Sequence, residues 1–359
     1  MIYLIAGEAS GDLHGSNLMK AMLHINPNLE LRFCGGDLMK EVGGTLVQDY
    51  KNRAFMGFTE VIKNLSTIKK ALKELQQDIL DCRPEKLILI DNPGFNMRMA
   101  KFAKKHGIPV HYYIAPKVWA WNTKRVEKLK KTVDKLYSIL PFEPAFFKQY
   151  GLDVEYVGNP VMDALKQNIP TVPKELPKSK TVIALLPGSR KPEIEKMLPP
   201  MLEVAALHPD WIFAIAVAPN FELDYFKKFQ SSNVIAIKDN TYNILSSSNA
   251  AIVTSGTATL ETALLRVPQM VCYKLSPLTY WIGKQVVKVK YISLVNLILN
   301  KPAVKELVQE DCNALDIDTE LQRIMSTKGL VQIQSDYVEL SKTIGNTKAS
   351  EVVAQRILA

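Results

Sequence analysis

The string Ser255-Gly256-Thr257-Ala258-Thr259-Leu260-Glu261 carries the strongest chemical signal in this chain. It follows the apolar run Ala250-Ala251-Ile252-Val253 and opens a stretch of helical period. Small residues let backbone amides approach a phosphate, and the dipole of the helix behind them favours its charge. A carboxylate avoids a diphosphate, so Glu261 is suited to accept hydrogen bonds from ribose hydroxyls just beyond it. A helix start with a dipole-complementing Glu explains Glu261 but not the whole string. A second turn, Leu186-Pro187-Gly188-Ser189-Arg190, also ends an apolar run. The planar fork of Arg190 matches phosphate oxygens, and a surface ion pair is its plainer use.

In the first half, Gly7-Glu8-Ala9-Ser10-Gly11-Asp12 joins the run Ile2–Ala6 to a helical stretch. It is either a ligand-binding turn or only a tight βα connection, and its spacing is not the dinucleotide fingerprint. Asp91 ends another apolar run, Leu87–Ile90. It is suited to take a proton from an attacking sugar hydroxyl if its pKa is raised, or else to stabilise the turn through backbone amides. Downstream lies Ala115-Pro116-Lys117-Val118-Trp119-Ala120-Trp121, where indoles offer flat apolar faces to sugar rings or acyl chains unless one of them plugs the core. Glu8 is the second catalytic candidate, and Gly11, Trp119 and Trp121 are candidate acceptor or lipid contacts. Lys124, Arg125, Lys128, Lys130 and Lys131 read as a solvated basic face.

These residues need strand ends to hold them. Short apolar runs at 2–6, 87–90, 108–115, 135–140 and 154–157 alternate with helical stretches, and 181–186, 211–217, 233–237, 250–254 and 270–274 repeat the pattern. That alternation predicts βαβ units and parallel sheets. The Pro-bearing segment from Gln167 to Lys180 reads as a linker between domains at 1–166 and 178–339. A helix over about 340–359 would pack back on the first domain. Asp316-Ile317-Asp318 reads as a helix cap rather than a metal motif.

The chain has 359 residues, 47% hydrophobic, which is enough for two cores. Lys and Arg total 45 against 36 Asp and Glu, and this excess favours an anionic partner. There is no Arg-rich arm, zinc-finger spacing or RNP-like pattern, so nucleic acid is not expected. The four cysteines are far apart and the five histidines do not cluster, which predicts reduced thiols and chemistry without a metal or other cofactor. The first apolar run lacks a basic n-region and is too short for a signal peptide or a membrane span, so a cytoplasmic location is expected. After Met56 and Phe58, the residues Val61, Ile62, Leu65, Ile68 and Leu72 form one stripe among Lys63, Lys69, Lys70 and Lys73. Such a stripe either lies on a membrane or packs on a sheet, and residues 278–288 have the same ambiguity.

The turns at Gly7–Asp12, Val118–Trp121, Leu186–Arg190 and Ser255–Glu261, with Tyr291-Ile292-Ser293-Leu294-Val295-Asn296, resemble the lipid-A-disaccharide synthase family in order and over nearly the whole chain. The resemblance implies a GT-B fold, two Rossmann-like doubly wound α/β domains facing across a cleft. It implies an inverting hexosyltransferase that moves 2,3-diacylglucosamine from UDP-2,3-diacylglucosamine to 2,3-diacylglucosamine 1-phosphate. The products are a β(1→6) disaccharide 1-phosphate and UDP, in lipid A and lipopolysaccharide biosynthesis. Peripheral attachment to the inner membrane of a Gram-negative bacterium is implied as well, and a homodimer is compatible with it. By motif position Asp91 is the general base, while Arg190, Ser255, Gly256, Thr257, Glu261, Asn296 and Gln309 hold UDP. Met56 and Phe58 join the lipid contacts. The chain departs from the family pattern at Gly94, where many relatives are acidic, and at Asn159, where many have His. A UDP-sugar epimerase and a non-catalytic nucleotide-sugar-binding protein are the rival readings on the same fold.

Overall fold

The computed structural model describes residues 1–53, 65–167, 170–177, 179–238, 241–276, 280–281 and 289–359. It divides into two compact units, residues 1–163 with 346–359 and residues 164–345.

Unit one is built on β1 (Ile2–Ala6), β2 (Leu31–Gly35), β3 (Thr45–Asp49), β4 (Lys86–Ile90), β5 (Val110–Tyr113), β6 (Lys135–Ser138) and β7 (Glu155–Tyr156). All strands pair parallel, in the order β3-β2-β1-β4-β5-β6-β7. Its connections carry α1 (Ala9–Ile25), α2 (Asp37–Val42), α3 (Leu65–Cys82), α4 (Pro93–Lys105), α5 (Val118–Trp121), α6 (Val126–Thr132) and α7 (Glu143–Lys148). α8 (Pro160–Gln167) leads out of the unit. The central strands are apolar throughout because helices cover both faces. Ile2, Leu4, Ala6, Ile88 and Ile90 enter one core, whereas Tyr3, Ile5, Leu87 and Leu89 enter the other.

Unit two repeats the plan with β8 (Val182–Leu186), β9 (Ile212–Ala216), β10 (Val234–Ile237), β11 (Ala250–Thr254), β12 (Gln269–Tyr273) and β13 (Glu306–Val308). Their parallel order is β10-β9-β8-β11-β12-β13. Helices α9 (Lys191–Leu207), α10 (Leu223–Phe226), α11 (Thr241–Ser246), α12 (Thr257–Leu264), α13 (Leu294–Leu299), α14 (Ala314–Met325) and α15 (Thr327–Ile344) complete it. The last helix, α16 (Ala349–Leu358), returns to unit one.

Three strands have no counterpart in the sequence-based reading. β2 is interrupted by Arg32, whose charge is accommodated by Asp78 on α3: Nε donates to Oδ2 at 2.8 Å, and Tyr3 Oη donates to the same oxygen at 2.9 Å. β3 and β13 are edge strands, half-polar or only three residues long, so they lack the apolar run that marks a central strand. β5 is shorter than 108–115 because Ile114 turns to φ 68°. Asp316-Ile317-Asp318 is not the cap: α14 starts earlier, at Ala314, and is capped by Asn313, whose Oδ1 accepts from the Asp316 amide at 3.0 Å. Asp318 instead meets His208 Nε2 at 2.6 Å. Within the segment read as linker, Leu176 is buried in the core of unit two.

Among the described residues, no helix is long and apolar enough to cross a membrane. Leu72, with Leu75 and Ile79, packs against the sheet, while Val61 and Ile62 lie outside the described residues. Of 278–288 only Tyr280 and Trp281 are described.

Two buried aspartates join helices that are distant in sequence. Asp12 on α1 accepts from the amides of Gly36 at 2.7 Å and of Leu38 and Met39 at 3.1 Å, at the start of α2. Asp163 on α8 accepts from Ala349 at 2.7 Å and Ser350 at 2.9 Å, satisfying the first turn of α16. Asp163→Ala should therefore cost about 2 kcal/mol and loosen α16 first. Hydrogen exchange checks this: faster exchange over 349–358 with α1 protection largely kept is the expected result, and unchanged exchange would refute it.

Candidate active site

In each sheet the chain reverses its winding direction between two central strands, β1 and β4 in unit one and β8 and β11 in unit two. Ligands bind outside the carboxyl ends of the strands at such points. Ala6 pairs with Ile90 and Val253 with Leu186. Gly7-Glu8 and Asp91 therefore emerge side by side in unit one, as do Pro187–Arg190 and Ser255–Thr257 in unit two.

Asp91 and Asn92 both take left-handed backbone conformations, φ 46° and 42°. Asn and Asp tolerate that region best, but two in succession still store strain. The strain is held in place by bonds to the Asp91 carbonyl, from Asn96 Nδ2 at 2.8 Å and Tyr112 Oη at 2.5 Å. Gly7 leaves room for the Asn92 side chain, since a Cβ there would lie 1.9 Å from Asn92 Nδ2 and would displace it. The Asp91 carboxyl is pushed above the usual carboxylate range, first by burial and then by the charge of Glu8, with Lys117 acting in the opposite direction. Glu8 precedes α1 and accepts from Ser10 Oγ at 3.1 Å. Gly11 is buried, with the Ala6 side chain 3.3 Å from where its Cβ would stand.

The two indoles diverge. Trp119 turns inward and donates from Nε1 to Glu143 Oε1 at 3.0 Å, its ring edge-on to Phe142. Trp121 is 45% exposed, with the Arg125 guanidinium 4.4 Å above its ring. Glu143 is 1% exposed and also accepts from the Leu140 amide at 3.2 Å. Sequence reasoning missed it; the only signal was a carboxylate just past a strand in the Pro-flanked run Leu140-Pro141-Phe142-Glu143-Pro144. Asn159 is structural, donating to the Ile139 carbonyl at 2.9 Å and accepting from the Val161 amide at 3.0 Å. Met56 and Phe58 lie outside the described residues.

In unit two, Gly188 adopts φ 108°, and a side chain there would collide with Glu193. The Arg190 guanidinium is exposed and pairs with Glu193 at 2.8 Å, an i,i+3 surface pair weak enough to yield to an anion. Ser255 Oγ donates to the Ile292 carbonyl at 2.8 Å. Gly256 and Thr257 are exposed where α12 begins, and first-turn amides have no acceptor inside their own helix. Glu261 accepts from Tyr242 Oη at 2.9 Å, and burial raises its carboxyl pKa. Tyr242 was not anticipated from the sequence. Asn296 and Gln309 spend their amides on the protein itself. Asn296 bonds both backbone groups of Val304 and the Glu306 carboxylate, and Gln309 Oε1 accepts from the Leu275 amide at 2.6 Å.

Two doubly wound parallel sheets with paired loops at each reversal define a GT-B fold. Solved structures agree. The S. aureus MnaA-UDP co-structure matches with a TM-score of 0.72 at 14% identity, over 99% of this chain and 95% of that one. Acinetobacter baumannii MurG matches with a TM-score of 0.62 at 11% identity, over 99% and 98%. The sequence goes further: residues 2–357 match the model of the lipid-A-disaccharide synthetase family, and the chain belongs to that family. The lipid-A-disaccharide synthase of Geobacter sulfurreducens is 35% identical over 372 residues, covering 99% of this chain and 96% of the relative. The protein is thus a glycosyltransferase of lipid A biosynthesis.

Burial pushes the Glu143 carboxyl from the ordinary 4.5 up to about 7. Between those values the folded chain holds a proton that the unfolded chain releases. Stability therefore falls as pH rises through that window, by about 3 kcal/mol in all, and levels off above it. Relative to Glu143→Gln, the wild-type melting temperature should drop between pH 4.5 and 7 and run parallel to it above pH 7. Parallel curves through the whole range would remove this role.

Proposed function

We propose that the protein transfers 2,3-diacylglucosamine from UDP-2,3-diacylglucosamine to the 6-hydroxyl of 2,3-diacylglucosamine 1-phosphate with inversion, forming a β(1→6) disaccharide 1-phosphate and UDP. The observation that carries the mechanism is Asp91, a carboxylate of raised pKa at the reversal point of unit one. As the acceptor oxygen bonds to the anomeric carbon, its proton passes to Asp91. The bond from that carbon to the UDP oxygen breaks, and its electron pair leaves with the diphosphate.

The departing charge falls to unit two. Amides at Gly256 and Thr257 and the Arg190 guanidinium donate to the diphosphate, Ser255 holds the turn through its bond to the Ile292 carbonyl, and Glu261, steadied by Tyr242, accepts from the ribose. Asn296 and Gln309 hold the walls of that site through their backbone partners. Glu8 tunes Asp91 by charge. No metal enters this scheme, and added EDTA should leave turnover unchanged. Of the candidate contacts, Trp121 is the exposed one and meets acceptor or lipid, with the protein resting on the cytoplasmic face of the inner membrane.

Asp91→Asn should lower kcat about 10²–10⁴-fold while leaving UDP affinity within about twofold. Because Asp91 must be ionised to act, wild-type kcat/KM should rise with pH through a value above the ordinary carboxylate range, a limb absent from the variant. Product analysis in detergent micelles, with and without EDTA, checks both, and near-normal turnover by the variant would exclude Asp91 as the base.

A second measurement addresses the nucleotide. Glu261→Gln can still meet Tyr242 but no longer offers two anionic acceptors to the ribose. The KM for the UDP donor should rise about tenfold with acceptor KM unchanged. An unaltered donor KM would place the ribose elsewhere.

A further inference from the structure

A groove of about 620 Å³ runs between α4 and α6 in unit one. Five cations line it, Arg98 and Lys101 from α4 with Arg125, Lys128 and Lys131 from the other wall. Among the described residues none of the five has a carboxylate within ion-pair distance, although other cations of the same helices do. Lys104 pairs with Asp134, and Lys130 lies 3.5 Å from Glu127. Five like charges in one concavity repel each other and concentrate a positive potential, a cost that an anion relieves.

Three further features suit a compact anion. Arg125 sits over the Trp121 ring, its guanidinium carbon 4.4 Å from the ring centre, and this contact helps to hold it in place. The first turn of α4 reaches the groove at Pro93 and Gly94, bringing the positive end of a helix of 13 residues. The space beside Gly94 is open, with no atom within 4 Å of where a Cβ would stand. The groove begins at Pro93, two residues past Asp91 in the chain.

We propose that this groove binds the phosphate monoester of the acylated sugar acceptor, with Arg98, Lys101, Arg125, Lys128 and Lys131 as its counter-charges. The inference rests on the acceptor reading given above and adds the residues that distinguish a phosphorylated acceptor from a neutral one. Bulk anionic phospholipid carries the same chemistry, but a discrete concavity at the start of α4 suits one substrate headgroup better than a bilayer surface.

The test is equilibrium binding without donor, in neutral detergent micelles, of 2,3-diacylglucosamine 1-phosphate and of its dephosphorylated counterpart. Wild type should prefer the phosphorylated lipid by about tenfold or more, and the double variant Lys101→Gln/Lys128→Gln should lose most of that preference. UDP affinity should stay within about twofold, and Lys104→Gln, outside the groove, should behave as wild type. A double variant that keeps the full preference would overturn the proposal. So would one that keeps it but no longer sediments with phosphatidylglycerol vesicles, which would assign the groove to bulk headgroups. Because binding is read without turnover, failure of the wild type to form disaccharide would refute the transfer reading while leaving the phosphate preference measurable.

Discussion

In a parallel sheet every strand delivers its carboxyl end to the same rim, and chain direction permits only one place where neighbouring connections part. In unit one that place lies between β1 and β4, in unit two between β8 and β11. The gap is forced by winding order rather than by any side chain. Loops there have no helix directly above them, and the helices that follow present unpaired amides. The Asp91 turn and the Ser255–Thr257 turn owe their positions to this constraint.

Carboxylates in the structure divide by what surrounds them. Asp12 and Asp163 sit on rows of backbone amides and act as fasteners. Glu143 is buried and Asp91 and Glu261 are half-buried, and desolvation raises the proton affinity of all three. Asp91 and Glu261 follow strand ends at the two reversal points. Glu143 follows β6, further along the same rim. Desolvation of carboxylates is thus concentrated where chemistry is proposed, as expected when pKa tuning serves function.

Much of this was legible in the residues. The apolar runs of the central strands announced the parallel sheets, and Gly7, Asp91, Arg190 and Glu261 stood out because each follows such a run. What escaped was set by contacts remote in sequence. Arg32 disguised β2 until Asp78, 46 residues away, was seen to neutralise it. Tyr242 reaches Glu261 from another helix, and Glu143 is important only because Trp119 turns toward it. The basic stretch after Trp121 read as a solvated face because sequence spacing on one helix gives no sight of α4 across the groove.

The path of the chain has a consequence for how the protein comes into being. Unit one is interrupted at Asp163 and resumes at Asn346, so unit two is threaded through it as an insertion. The core around α1 needs Ala349, Val353, Ala354 and Ile357 from the returning helix. During synthesis, at roughly 5–20 residues per second, the ribosome must make all of unit two before that core can close. For on the order of ten seconds the nascent first unit exposes the apolar side of α1, while unit two can already fold. The segment made early is the one finished last, and this interval is when the polypeptide most needs protection from aggregation.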